Sequence, residues 1–430
     1  MTTNPRSGPL SNLRVIEMGQ LIAGPFCGQL LADFGAQVIK IEPPAGGDPM
    51  RVWGREKPHG KSLWFPVLAR GKQSVTLDLR QPEGQRLARE LIAGADVLVE
   101  NFRPGTMERW NLGYDELSAV NPGLIMVRVS GYGQTGPYAK RAGYGAIGEA
   151  MGGLRYVVGD PKSPPSRVGF SIGDTLAATF GCLGALVALH ARKTTGRGQI
   201  VDSAIYESVL AITENLVTEY ASAGYVRERT GSMLPNIAPS NVYPTRDGID
   251  ILIAANQDTV FARLCTAMDR PELAQNERYA THGARGANQV ELDSLLAEWT
   301  ATLAAGDLEA LLETHSVPAG RIYRAPEMLA DPHFAAREAI IRLTHPILGD
   351  LAMQNVFPRL SETPGSVHSL GPELGEHNQA ILGGLLGLDE AELGRLFRLG
   401  VVSASPLPPK QPAEMDAARA RGDLLAPSGA

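Results

Sequence analysis

Over the first 135 residues, short runs rich in β-branched residues alternate with stretches of helical periodicity, and this alternation constrains the fold more than any other feature. LRVIEM, AQVIKIE, SVTLDL, ADVLVENF and LIMVRVS read as strands. GPFCGQLLADFG and PEGQRLARELIAGA read as helices, the second with Pro82 in a first-turn position. Parallel strands need long crossovers, and a helix is the usual one, so the pattern specifies βαβ units and a doubly wound α/β sheet. Arg14, Lys40 and Arg128 interrupt the apolar runs near their ends, which places them beside loops at the edge of the sheet.

Downstream the pattern changes. RVGFSIGDTLAATFGCLGALVALH carries one acid, Asp174, at the head of the uncharged run Thr175–Leu189. It reads as a helix to about Lys193, closed by the turn TTGRGQ, and a second helix is expected from Asp202 to about Gly224. NVYPTRDGIDILIAAN reads as a hairpin turning at Asp247-Gly248, and Gln257 to about Leu312 as helices. A chain of 430 residues exceeds one ordinary core. The expected organisation is a large domain over 1–225, a smaller α+β domain over 226–324 and a return to the large domain over 325–400. A flexible, Pro- and Ala-rich tail is expected over 401–430.

The net charge of −6 gives no basic footprint and argues against a nucleic-acid partner. Cys27, Cys182 and Cys265 are scattered and odd in number, which points to a reducing compartment with neither a disulfide framework nor a zinc site. MTTNPRSGPLSNLRV lacks the apolar core of a signal peptide. The run Thr175–Leu189 is too short to span a bilayer, so a cytoplasmic protein without a membrane partner is expected.

Four stretches are candidates for chemistry. Gly19-QLIA-Gly24-PFC-Gly28, with Glu42 ending the second strand, invites a dinucleotide reading. The spacing does not match G-x-G-x-x-G, and a tight strand-to-helix turn explains it better. ENFRPGTMERWNLGYDEL follows a strand at the carboxyl edge of the sheet, where such folds bind ligands. There Asn101, Phe102, Arg103 and Arg109 suit a phosphorylated purine compound, but a solvated loop with ordinary helix-flanking charges explains them at least as well. SGYGQTGPYAKRAGYGAIGEAMGGL, Ser130 to Leu154, has enough glycine for close backbone approach, but equally describes a loop. Asp174 before a helix reads first as an N-cap; a nucleophile or base in small, apolar surroundings is the second reading, and the two are compatible.

Together these stretches resemble one family. LRVIEMGQLIAGPFCGQLLADFGAQVIKIEPPAGGDPMR, ENFRPG, TGPYAKRAGY, the Gly173-Asp174 pair and TGRGQIVDSAIYESV follow the order and spacing of the class III CoA-transferases, the CaiB/BaiF family, from about Leu10 to Leu388. The resemblance implies a Rossmann-like large domain with a smaller second domain, in a homodimer of interlocked chains. It implies that Asp174 is the nucleophile, forming an aspartyl anhydride and then an aspartyl-CoA thioester. By resemblance the coenzyme A contacts are Leu77, Arg80, Asn101, Phe102, Arg109 and Tyr144; Arg103 and Arg141 join them as basic residues of the same stretches. No tightly bound cofactor is implied, since CoA and its acyl esters are substrates.

Three departures qualify the likeness. Pro43 replaces a basic position, Ala142 replaces a CoA-contacting lysine beside Arg141, and RTGSMLPNIAPSNVYP replaces the polyglycine loop of the formyl-CoA:oxalate members. Racemases of the same fold pair the aspartate with a histidine where Tyr144 stands, and no histidine lies between His59 and His190. The resemblance therefore favours a transferase over a 2-methylacyl-CoA racemase or a non-catalytic CoA-binding protein. The text of the smaller domain resembles members that move CoA between dicarboxylic acids, with succinyl-CoA as donor. A second carboxylate needs a cation; Arg51, Arg141 and Arg167 are the candidates.

Overall fold

The structure is a computed structural model and describes residues 8–403. The chain divides into two compact units: one holds the residues up to Gly152, Ser171–Ile212 and those from Glu338 onward, the other Gly153–Phe170 and Thr213–Arg337.

The first unit is built on six parallel strands: β1 (Arg14–Glu17), β2 (Gln37–Glu42), β3 (Lys72–Thr76), β4 (Val97–Glu100), β5 (Ile125–Ser130) and β6 (Ile200–Ala204). Their order, β3-β2-β1-β4-β5-β6, is the doubly wound arrangement that the alternating pattern predicts. Val97–Glu100 and Ile125–Ser130 are buried throughout, as strands covered on both faces must be. Helices Ala23–Asp33 and Pro82–Ala93 make crossovers, the latter with Pro82 in its first turn.

Four expectations need correction. Lys40 and Arg128 are not at the sheet edge: both are buried inside strands and held by carboxylates. Ile200–Ala204 is a strand; its mixed pattern and Asp202 disguise an edge position, and the single helix expected from Asp202 to Gly224 is instead two, Ile205–Leu210 and Leu216–Ala223. The helix after Asp174 runs Ile172–Thr195, long and apolar enough to cross a membrane by length and composition. One face packs on the sheet so closely that a methyl group at Gly184 would lie 2.4 Å from Val201 Cγ1; the other exposes Leu183 and Val187. Finally, Val401 and Val402 are buried in the first unit's core, and Ser403 N donates to Thr76 Oγ1 at 2.9 Å. The rest of the expected tail lies outside the described residues.

The second unit holds a three-stranded antiparallel sheet: β7 (Ser240–Pro244), β8 (Asp250–Ala254) and β9 (Ala319–Arg321). Gly248, at φ 75°, closes the β7–β8 hairpin where the Asp-Gly pair predicts it. The helices over Asp258–Thr314 supply most of that unit's core. Back in the first unit, β10 (Ile340–His345) and β11 (Gly349–Gln354) form a separate antiparallel pair.

Candidate active site

In a doubly wound sheet the loops leaving two central strands diverge to opposite faces, opening a crevice at the strands' carboxyl ends. Here those strands are β1 and β4, and their loops are Met18–Ile22 and Asn101–Gly105. Asn101 joins them: its Oδ1 accepts from Gln20 N at 2.8 Å and its Nδ2 donates to Gln20 O at 2.9 Å. Gly19 and Gly24 make the contact possible, because a methyl on either would stand 2.9 Å from the other's Cα and 3.2 Å from Asn101 Oδ1. The glycines of this turn serve packing within the loop. Glu42 is likewise committed, accepting from Arg51 Nε and Nη2 at 2.7 Å each, Ser74 Oγ at 2.6 Å and Asp48 N at 3.0 Å.

Beneath the first loop lies a buried charge network. Lys40 Nζ reaches Glu17 Oε1, Asp48 Oδ2 and the Gly19 carbonyl, each at 2.8 Å. Lys72 Nζ reaches Glu17 Oε2 and the Pro25 carbonyl at 2.6 Å. Asp48 Oδ1 in turn accepts from Leu21 N at 3.0 Å, fixing a residue held at φ 63°. Burial alone would favour neutral groups, yet the two lysines hold the Glu17 carboxyl below its ordinary range.

Two cavities flank the Gln20–Asn101 contact. The first, about 290 Å³, is lined by Leu77, Arg80, Phe102 and Trp110, with Gln20 at its boundary. Phe102 and Trp110 meet edge to face at 5.1 Å between ring centroids. Asp78 orients the exposed Arg80 guanidinium through contacts of 2.8 and 3.0 Å, and that pairing keeps Asp78 low, at about 2. An apolar aromatic slot with a guanidinium at its mouth suits a flat heterocycle carrying phosphate. Phe102 is held in place by Glu100, whose Oε2 accepts from Phe102 N at 2.7 Å while Oε1 accepts from Arg128 Nε at 2.8 Å.

The second cavity, about 300 Å³, contains Asp174, Asn101, Arg103, Tyr144 and Gly145, together with Trp53 and the Leu21–Ala23 segment. Asp174 is half-buried and stands in the first turn of the long helix; the N-cap position falls to Ser171, which corrects the capping expectation. Gly145 is the residue that sequence reasoning does not single out. A methyl on it would lie 2.2 Å from Asp174 Oδ2, so the carboxylate lies directly against bare backbone. Its only sequence signal is the glycine-dense stretch that contains it. Burial first, then the Asp174 charge, raises Tyr144, so its phenol is neutral beside the carboxylate and is no base at neutral pH.

The expected site residues thus fall into three groups. Asp174, Asn101, Arg103 and Tyr144 share one cavity, while Leu77, Arg80 and Phe102 share the other. Arg109 and Arg141 line neither: Arg109 Nη2 donates to Thr106 Oγ1 at 2.9 Å, and Arg141 lies 3.6 Å over the Tyr138 ring.

An aromatic slot lined by an exposed arginine, next to a cavity holding one carboxylate, suits an enzyme acting on nucleotide-linked acyl groups. The model of CoA-transferase family III matches residues 10–378. The chain belongs to that family. A succinyl-CoA–D-citramalate CoA-transferase of Chloroflexus aurantiacus is 60% identical, over 90% of this chain and 96% of that protein. The succinyl-CoA–L-malate CoA-transferase beta subunit of the same organism is 43% identical, over 90% and 96%. A succinate–glutarate CoA-transferase of Agrobacterium fabrum is 37% identical, over 89% and 97%. Among solved structures, a CaiB/BaiF family protein from Brucella suis superposes with a TM-score of 0.79 at 37% identity, over 88% of this chain and all of that one. This family III CoA-transferase therefore takes CoA thioesters as substrates, and the α/β architecture with its central parallel sheet is the family's own.

Proposed function

We propose that this enzyme moves CoA from succinyl-CoA to a short dicarboxylic acid, with citramalate the first acceptor to test, through covalent intermediates on Asp174. The observation that carries the reading is the position of Asp174, half-buried against Gly145 at the switch point, beside a cavity suited to the nucleotide of CoA. The names of the relatives supply the donor and the class of acceptor.

A carboxylate is already ionised at neutral pH and needs no deprotonating partner to act as a nucleophile. An Asp174 oxygen attacks the thioester carbonyl; the C–S bond breaks, giving a succinyl–aspartyl anhydride and CoA thiolate. The thiolate attacks the aspartyl carbonyl, forming an aspartyl-CoA thioester and freeing succinate. The acceptor carboxylate then displaces the thiolate, which returns to the acceptor's carbonyl and restores Asp174. The anhydrides are sensitive to water, which small and apolar neighbours help to exclude. Binding energy at the nucleotide end is available to hold the thioester against the nucleophile. A racemase needs a second base, and Tyr144, a neutral phenol, does not supply one.

An interlocked homodimer, which would cover exposed apolar residues such as Leu183 and Val187, belongs to the same proposal. Sedimentation analysis giving only a monomer would remove that part of it.

The test is trapping. Incubation with succinyl-CoA followed by hydroxylamine or borohydride, with peptide mass spectrometry, should label Asp174. Asp174→Ala should lose the label and transfer activity together. Activity surviving that substitution would sink the mechanism, and exchange of the substrate's α-hydrogen with solvent deuterium would favour the racemase instead.

A further inference from the structure

We infer that Arg103 determines specificity for dicarboxylates by binding the carboxylate remote from the reacting one. The inference rests on the dicarboxylate reading above and names the residue that would carry it.

Among the residues lining the cavity around Asp174, only two side chains are charged: Asp174 and Arg103. The other cations considered are placed elsewhere. Arg51 gives Nε and Nη2 to Glu42 and Nη1 to the Pro372 carbonyl at 3.1 Å, and its guanidinium stacks 3.8 Å over Phe65. Arg141 lies 3.6 Å over the Tyr138 ring and does not line the cavity. Arg103, by contrast, has no side-chain hydrogen bond, ion pair or ring contact among the described residues.

Its backbone is nevertheless well fixed. Two residues before it, Asn101 is pinned to Gln20; after it, Thr106 N donates to the Arg103 carbonyl at 3.0 Å, and Gly105, at φ 87°, turns the chain into the helix Thr106–Arg109. The result is an unpaired guanidinium fork on a held loop, in the same cavity as the nucleophile.

The chemistry needs a cation there. A succinyl chain carries a second negative charge, which must approach the Asp174 carboxylate when the thioester is attacked. A guanidinium in the same cavity offsets that repulsion and holds the planar carboxylate in a two-point contact. A monocarboxylic acid of the same length leaves the fork unused.

The competing claim on Arg103 is a phosphate of CoA, so the experiment separates the two. With one common donor, kcat/KM is measured for glutarate and for pentanoate, which differ in whether the chain ends in a carboxylate or a methyl group. The donor's own dependence on Arg103 cancels in the ratio. Arg103→Gln should lower the glutarate-to-pentanoate ratio by about 10–100-fold, and Arg103→Lys by less, while the affinity for free CoA measured by calorimetry stays within about twofold. An unchanged ratio overturns the inference. A parallel loss of CoA affinity and of transfer to both acids also overturns it, since the guanidinium then serves CoA. A parent enzyme that shows no preference for glutarate fails the dicarboxylate reading itself, before any variant is compared.

Discussion

Asn101 holds Gln20 by both of its backbone groups, at 2.8 and 2.9 Å, and thereby ties together the two loops that diverge from the centre of the sheet. The contact is also the boundary between the two cavities, with Phe102 lining one and Arg103 the other. Asn101→Ala should leave the Gln20 amide and carbonyl without those partners, costing about 1–3 kcal/mol of stability. It should also lower kcat/KM for the acyl-CoA by at least about tenfold, because both cavity walls relax. Asn101→Asp keeps the acceptor, loses the donor and adds a negative charge to the cavity of Asp174. Its rate should therefore fall further than its stability, as steady-state kinetics and urea denaturation would show.

Gly145 makes a sharper case. A methyl at 2.2 Å from Asp174 Oδ2 cannot be accommodated unless the carboxylate moves. Gly145→Ala should reduce kcat by about 100-fold through misplacement of the nucleophile, with a stability cost of about 1–3 kcal/mol. Because Leu77, Phe102 and Trp110 are untouched, affinity for CoA should stay close to that of the parent. A variant that loses CoA affinity and keeps kcat would contradict this geometry.

Much of this arrangement can be read from the chain. Five of the six parallel strands announce themselves through short runs rich in β-branched residues that alternate with helical stretches, and the ENFRPG loop lies where a β4-end loop must. Edge strand β6 does not, because Asp202 and partial exposure blur its pattern. Lys40 and Arg128 mislead for a related reason: a charge inside a strand suggests an edge unless its partners are known, and Glu17, Asp48, Glu100 and Glu108 come from elsewhere in the chain. The role of Gly145 is hidden because close approach depends on a residue 29 positions away, which no local pattern encodes.

Glu100 gives the protein a pH dependence of defined sign. Burial is the largest influence on it and raises its pKa to about 7, against the pull of Arg128, which it shares with Glu108. A carboxyl bound more tightly to its proton in the folded state contributes stability that declines as pH rises from the ordinary range near 4.5 to about 7, then levels off. The effect should be on the order of 1–3 kcal/mol. Urea denaturation at intervals from pH 5 to 8.5 should show that decline, and Glu100→Gln should flatten it, although the amide can accept only one of the two bonds now made. Glu17 and Glu42 are shifted the other way, so their contributions are present above the ordinary carboxylate range and disappear only in acid.

Lys40 should be the most sensitive position outside the cavities. Its ammonium lies among Glu17, Asp48 and the Gly19 carbonyl; burial alone would lower its pKa, and the attraction of the carboxylates outweighs that penalty and raises it. Lys40→Met keeps much of the side-chain volume but leaves two buried carboxylates with one neighbouring lysine, Lys72, which pairs with Glu17. Breaking one partner out of a buried ion network typically costs about 3–5 kcal/mol, more than any surface pair contributes. The consequence should reach the chemistry, because Lys40 anchors Gly19 and Asp48 anchors Leu21, the two ends of a segment that leads into the wall of the Asp174 cavity. Denaturant midpoints and kcat/KM should therefore fall together in Lys40→Met, whereas Lys61→Met, at a partly exposed pair with Glu373, should move stability by less than about 1 kcal/mol. A Lys40→Met protein within about 1 kcal/mol of the parent would show that the network does not hold the loop.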